Sequence, residues 1–589
     1  MVFLPIVFLQ GFTGRLFREF GIVVAGAVLV SAFVSLTLKP VLNVYLTRKV
    51  HKPSRFYVRT EPFFLGMERG YKKGLIWIMR RRWLALTGIV ACFAIIYLIG
   101  TSLQSELAPL EDRSRFRYMV TAPEGTSFDA MEKFTDEVVQ MMLDSVPETQ
   151  TLLSVTAPGF TGVGAVNSAR GNLRLSAPKD RDRSQQEIVD SINKDFQKLT
   201  FGRAFATQEQ TISVQRGGSS FPVVYVLQNI NFEKLAQALP RFLDAASQHP
   251  SLQGVDADLK FNRPELSVTI DRAKASQLGI SVGDVSQTLQ LALSNGRLGY
   301  FTMNGQQYQV IAQVSRANRE TPLDLRALYV RTSGGQLISL DNVVTMDETT
   351  SPSQIYHYNR YKSATISANL APGKTIGDGV KAMDEIYEQL KREKVIDETF
   401  SSSLGGSSKD YVESSSNTSF ALILALILIY LILAAQFESF VDPLIIMLTV
   451  PLAIAGALLS LWFFGQTLNI FSQIGMIMLI GLVTKNGILI VEYANHIRDR
   501  GASKIDAAIG SATMRLRPIL MTSLAMIFGA LPLALSLGAA ATSRIPLGIV
   551  MVGGILFSLV LSLFIVPVFY TILSRRKTDE VTAIEKLNE

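Results

Sequence analysis

One lysine, Lys485, lies near the middle of an otherwise apolar segment running from Phe471 to Ala494. A lone Lys at the centre of a membrane helix costs roughly 2.5–3.5 kcal/mol, so such a charge marks a functional site whose partner has to be found. No acidic residue of the apolar stretches is expected at the same depth. Lys485 is therefore expected to serve a partner outside this chain, which would make the chain part of a larger machine. A lysine that merely snorkels to the headgroups fits this depth poorly.

Other chemistry-bearing residues are sparse. His51, His249, His357 and His496 are scattered without metal-ligand spacing, and Cys92 is the one cysteine, so no intrachain disulfide can form. There are no paired carboxylates, nucleophile–base sets or phosphate-binding glycine loops of the kind an enzyme requires. Three short patterns stand out. Gly159-Phe160-Thr161-Gly162-Val163-Gly164 follows a strand and joins backbone freedom to an aromatic ring. Phe221, Val223 and Tyr225 alternate along one strand face, as pocket-lining or core-facing residues would, and Asp256 and Asp258 share a face of another strand.

Two materials hold these residues. Hydrophobic residues make up 48% of the 589, and mean hydropathy is +0.27, too apolar for an ordinary soluble domain. Runs long enough to cross a bilayer are expected at 20–42, 83–104, 417–435, 442–465, 470–494, 516–536 and 544–573, giving seven complete spans. Met1 to Leu9 reads as the tail of a truncated span in segment 1–10, followed by a polar turn from Gly11 to Arg15. The net charge of +8 lies in short segments beside apolar runs, which indicates topology rather than nucleic-acid binding. The basic segment 43–82, with Arg80-Arg81-Arg82 at its end, is expected to be cytoplasmic, as is the tail 574–589. Within it, Phe63 to Met79 fits either a helix on the inner membrane surface or a solvated loop helix.

The stretch between the second and third spans is too long for a connector and alternates strand and helix patterns. Strands at 116–121, 151–156, 223–227, 255–260 and 266–270, with helices at 128–143 and 232–246, follow the order of split βαβ, ferredoxin-like units. Ala122-Pro123-Glu124-Gly125-Thr126 is echoed by Ala371-Pro372-Gly373-Lys374-Thr375, each between a strand and a helix. The part from Val282 to Met346 reads as an inserted module. The expected fold is an α-helical transmembrane bundle with a large α+β region, divided into 105–281, the insert 282–346, a return through 347–416, and a five-span bundle over 417–573.

Two blocks, Gly481-Leu482-Val483-Thr484-Lys485-Asn486-Gly487-Ile488-Leu489-Ile490-Val491-Glu492 and Met514-Arg515-Leu516-Arg517-Pro518-Ile519-Leu520-Met521-Thr522-Ser523, resemble the AcrB-type hydrophobe/amphiphile efflux pumps of the resistance-nodulation-division superfamily. The resemblance covers essentially the whole chain and implies the C-terminal portion of such a pump, from the end of its fifth span through its twelfth. It implies that Lys485, Asn486, Arg515 and Thr522 belong to a proton-coupling relay. The partner is then a pair of aspartates on a helix of a missing N-terminal portion. It also implies no cofactor beyond the proton gradient, no metal, and an inner-membrane protein with periplasmic porter subdomains and a docking module. Implied partners are a homotrimer, a periplasmic adaptor protein, an outer-membrane channel and amphiphilic small molecules in the lipid bilayer.

By the same resemblance, Gly159, Phe160, Gly162 and Gly164 match a gating loop between two drug pockets, and Phe221, Val223 and Tyr225 match positions of the deep pocket. This chain departs at Pro158, where relatives carry a second phenylalanine, and at Asp256 and Asp258, where they carry a basic residue and an amide. Carboxylates facing the pocket would favour cationic amphiphiles. Two other readings are a membrane scaffold that aids protein export, whose outer domains are usually smaller, and an inactive fragment of a pump.

Overall fold

The computed structural model describes residues 11–46, 55–158, 166–208, 221–294, 296–318, 327–352, 354–535 and 542–574. The chain starts with three helices, α1 (Gly11–Leu46), α2 (Arg55–Arg80) and α3 (Trp83–Ser102). The polar turn expected at Gly11 to Arg15 is instead the opening of α1. Glycine and threonine each cost a helix only about 1 kcal/mol or less, which a helix of this length absorbs.

After α3 the chain builds a first α+β unit from β1 (Arg115–Thr121), α4 (Phe128–Ser145), β2 (Thr149–Thr156), β3 (Ser168–Leu175), α5 (Gln185–Phe196) and β4 (Arg203–Thr207). The strands lie in the order β2-β3-β1-β4, and each neighbouring pair is antiparallel. Alternation in β1 sends Phe116, Tyr118 and Val120 to one face, where Met131, Phe134 and Val138 of α4 and Ile188 and Ile192 of α5 cover them. Their spacing is that of one apolar helix stripe. A capping box of Ser184 and Glu187 starts α5.

A second unit repeats the plan. It begins with β5 (Val223–Asn229), α6 (Phe232–Gln248) and β6 (Leu252–Ala257). The chain then leaves through β7 (Arg263–Ile270), α7 (Arg272–Gln277), α8 (Val282–Leu293), the hairpin β8 (Gly296–Met303) and β9 (Gln306–Ala312), and the short pair β10 (Tyr329–Arg331) and β11 (Leu337–Ser339). It returns along β12 (Val344–Ser351), antiparallel to β7, and completes the unit with β13 (Tyr356–Tyr358), β14 (Tyr361–Leu370), α9 (Ile376–Arg392) and β15 (Ser401–Leu404). In this sheet β14 pairs with β5 and β6, and β15 pairs with β5. The strand expected at 266–270 is β7, but it does not join this sheet. Its faces are half exposed throughout, whereas β14 brings Ala364, Ile366 and Ala368 to 0% exposure beside β5. The strand expected at 255–260 lies at Leu252–Ala257.

Both Ala-Pro turns hold their place between strand and helix, with Gly125 at φ +86° and Gly373 at φ +74°, a region that costs glycine nothing. They are not equivalent by order, however. The first leaves the opening strand of its unit and the second leaves β14, the fourth strand of its own sheet, so the echo matches the two βα halves within one plan.

The chain finishes with α10 (Gly406–Phe437), α11 (Val441–Met447), α12 (Thr449–Phe463), α13 (Ile470–Asp499), α14 (Lys504–Ala534) and α15 (Arg544–Leu573). Among the described residues seven helical stretches are long and apolar enough to cross a membrane, counting α11 and α12 together. That stretch is broken at Leu448 because the Pro451 ring collides with the carbonyl four residues earlier, that of Met447, where α11 ends. α12 and α15 cross closely at Gly553, where an added Cβ would lie 1.8 Å from Ser460 Oγ.

α2 is fastened to the bundle by charge. Arg517 of α14 donates from Nη2 to Glu61 Oε1 at 2.8 Å and from Nη1 to Glu61 Oε2 at 3.1 Å. Its Nε lies 2.7 Å from Glu68 Oε1 as an ion pair, and its guanidinium carbon stands 5.2 Å from the Phe64 ring centroid.

Replacing both Glu61 and Glu68 with Gln is expected to release α2, seen as faster protease cleavage within 55–80, and high salt should reproduce part of this in the wild type. Phe242→Ala, in the core of the second unit, should cost about 3–5 kcal/mol of that unit's stability, measured by denaturant unfolding.

Candidate functional site

The residues singled out around Lys485 sit on α13 and α14, which run antiparallel. α13 begins at a capping box in which Asn469 accepts from the backbone of Phe471 and Ser472, and it carries Lys485 at mid-length. Adjacent residues on a helix point about 100° apart. Lys485 is exposed, while Asn486 is 1% exposed and faces α14. Asn486 Nδ2 approaches Ser523 Oγ at 3.4 Å, and Asn486 Oδ1 is buried with no donor among the described residues.

A second contact fixes the register. The Arg515 guanidinium carbon stands 4.6 Å from the centroid of the Tyr493 ring. Asn486 against Ser523 and Tyr493 against Arg515 place Thr522 level with Lys485 and Asn486, and put Arg515 about two turns, roughly 11 Å, toward the end of the bundle away from the α+β units. The structure thus brings Lys485, Asn486 and Thr522 to one level and leaves Arg515 on its own. The Thr522 hydroxyl donates within its own helix, to Pro518 O at 3.0 Å and Ile519 O at 3.2 Å. Lys485 has no ion-pair or hydrogen-bond partner among the described residues. Glu492, seven residues on and on the same face of α13, is likewise exposed and unpaired among them.

The substrate-side residues divide. Gly159, Phe160, Gly162 and Gly164 lie outside the described residues. A cavity of about 1420 Å³ opens between the two α+β units and the near end of the bundle, lined among others by Phe205, Phe221, Leu252, Asn369, Glu106 and Thr467. Phe221 is in its wall, with its ring 6.3 Å from that of Phe205. Val223 and Tyr225 are not. They point into the core of the second unit, where Tyr225 stacks on Phe242 and donates to Asp384 Oδ1 at 3.2 Å. Strand alternation is the same for a core face and a pocket face, and here helix α6 covers that face.

Asp256 and Asp258 do not share a strand face toward the cavity either. Asp256 pairs with Lys260 at 3.2 Å. Asp258 lies past the end of β6, accepts from Thr365 N at 2.7 Å, and has its carboxyl pushed up by burial. A preference for cationic compounds gains nothing from them.

Three functional candidates escaped the sequence. Arg517 looked like part of a block, yet its partners Glu61 and Glu68 sit seven residues apart on one face of α2, a spacing that was there to be read. Tyr493 and Ser523 gave no signal beyond their neighbours.

A transporter of Haemophilus influenzae (strain ATCC 51907 / DSM 11121 / KW20 / Rd), described as an uncharacterized transporter, is 32% identical over 578 residues. That alignment takes in 97% of this chain and 55% of the relative, so the chain spans about half the length of the curated relative it matches. The profile of the AcrB/AcrD/AcrF family matches residues 1–574. The match runs along nearly the whole chain and does not bear out the expectation of a C-terminal portion only, or of a missing N-terminal portion. The chain belongs to the AcrB/AcrD/AcrF family.

Proposed function

We propose that this chain works in a proton-driven inner-membrane exporter of amphiphilic compounds, with α13 and α14 as the coupling element. The observation that carries this reading is Lys485, a charge at mid-length of a membrane-length helix with no partner among the described residues, level with the buried amide of Asn486 and with Thr522. A carboxylate brought to the open face of α13 would pair with Lys485 when ionised and release it when protonated. At low dielectric the change in attraction is large enough to repack helices, so proton traffic becomes helix movement.

The rest of the chain supplies what such a movement would act on. The strand orders of the two α+β units support reading them as ferredoxin-like porter subdomains on the periplasmic side. The cavity between them supports a substrate path, since ligands favour concave sites at domain junctions. The segment enclosed by β7 and β12 serves as the docking module, toward a periplasmic adaptor and an outer-membrane channel in a trimeric assembly. Arg515, stacked on Tyr493, is a fixed cation beside the path by which the proton leaves toward the cytoplasm.

Lys485→Met should abolish export of an amphiphilic dye that depends on the proton gradient, while the variant still inserts in the membrane at normal abundance. Dye accumulation would be measured with the gradient intact and collapsed. Export that persists in the variant and still collapses with the gradient would overturn the coupling role.

A further inference from the structure

Residues 104–106 form a seam between the bundle and the second α+β unit. Glu106 N donates to Leu468 O at 3.1 Å and Leu468 N donates to Gln104 O at 2.8 Å, a short parallel bridge to the link between α12 and α13. On the other side, Gly377 N at the start of α9 donates to Ser105 O at 3.2 Å, and Gln104 Nε2 donates to Gly373 O at 2.6 Å. Three chain segments from different layers are thus tied through three consecutive residues. The Glu106 side chain sits in this seam, accepts a hydrogen bond from the Thr467 hydroxyl, and lines the large cavity.

The surroundings offer it no countercharge at contact distance. The link 465–469 carries no ionisable side chain. From the turn before α9, Lys374 lines the same cavity, and Asp378 is occupied in capping Thr375. From α10, Tyr411 lies against Gly377 and Lys409 pairs with Glu413. Arg117, Asp190, Lys194 and Arg203 line the cavity from the first unit. On its own segment, Glu111 is held by Arg113. No cation stands within 4 Å of Glu106 among the described residues.

We propose that Glu106 is a proton-binding site built into this seam and loaded from the cavity, and that ionising it loosens the joint between the bundle and the second unit. A neutral carboxyl is satisfied by one hydroxyl and a partly buried pocket. An ionised one asks for more donors than the Thr467 hydroxyl supplies, and drawing cavity water or Lys374 in against residues 104–106 competes with the hydrogen bonds that close the seam. Burial pushes the carboxyl up to about 7, with the Thr467 hydroxyl pulling the other way. The folded chain therefore holds this proton more tightly than the unfolded chain does. The stability it confers is complete below the ordinary carboxylate range, is lost as pH rises toward about 7, and changes no further above that.

The test uses the full chain in lipid nanodiscs and needs no transport assay, so it stands or falls separately from the export reading. Unfolding midpoints of wild type, Glu106→Gln and Thr467→Val would be measured from about pH 5 to about pH 8. Glu106→Gln should match the wild type at the acid end, gain on it as pH rises toward about 7 and keep a constant lead above that, while Thr467→Val should carry the rise on to higher pH before it levels off. Parallel curves for wild type and Glu106→Gln would overturn the proposal. Should Glu106→Gln fail to fold, infrared difference spectra of the wild type across the same range decide the matter. A protonated-carboxyl band that disappears near neutrality, and later in Thr467→Val, supports the site; no such band refutes it.

Discussion

Lipid tails are as apolar as leucine, so helices in a bilayer gain nothing by hiding hydrophobic surface from it; they stay together only through contacts that lipid cannot make. Close approach at small residues is one kind, as where Gly475 meets Val550, Gly487 meets Ile446 and Gly456 meets Phe557. Polar contact is the other. Ser511 Oγ donates to Ile490 O at 2.6 Å between α14 and α13, and the Tyr71 hydroxyl donates to Leu563 O between α2 and α15. α13 is in contact with α10, α11, α12, α14 and α15, and so holds the centre of this arrangement.

That centrality gives the two adjacent polar residues of α13 opposite fates. Asn486 is turned inward and leaves an amide oxygen without a donor among the described residues, a cost of about 1–3 kcal/mol. Lys485 is turned outward, free to meet another charge. A helix held so firmly cannot relieve either residue by rotating, because any turn that suited one would break the small-residue contacts on its other sides. The unsatisfied groups persist because packing fixes the helix.

Local pattern was legible in the sequence, and partnership was not. The alternation of Phe116, Tyr118 and Val120 announced β1, and the apolar runs announced the membrane-length helices. Nothing local announced that β5 would pair with β14 across more than a hundred residues, with the β7–β12 segment in between, so Leu266–Ile270 seemed the natural next strand. Val223 and Tyr225 show the same limit at the site: their spacing says one face, and only α6 says which. Arg517 and Glu61, 456 residues apart, meet only because α2 lies along α14. Nothing local marked Glu106, since burial by a cavity wall leaves no trace on neighbouring sequence.

One helix belongs to both halves of the molecule. α10 starts against β5, where Gly405 N donates to Val224 O at 3.1 Å and Val224 N donates to Ser408 Oγ at 3.0 Å, and it continues unbroken until Ile429 and Leu433 lie in the membrane core. Its 32 residues make a beam about 48 Å long. Tilting such a beam by about 5° in the membrane displaces its far tip by about 4 Å without bending it or breaking a backbone hydrogen bond. Because β5 is a central strand, its whole sheet must ride along, and a small rotation among lipids arrives at the second unit as a shift comparable to the width of a side chain.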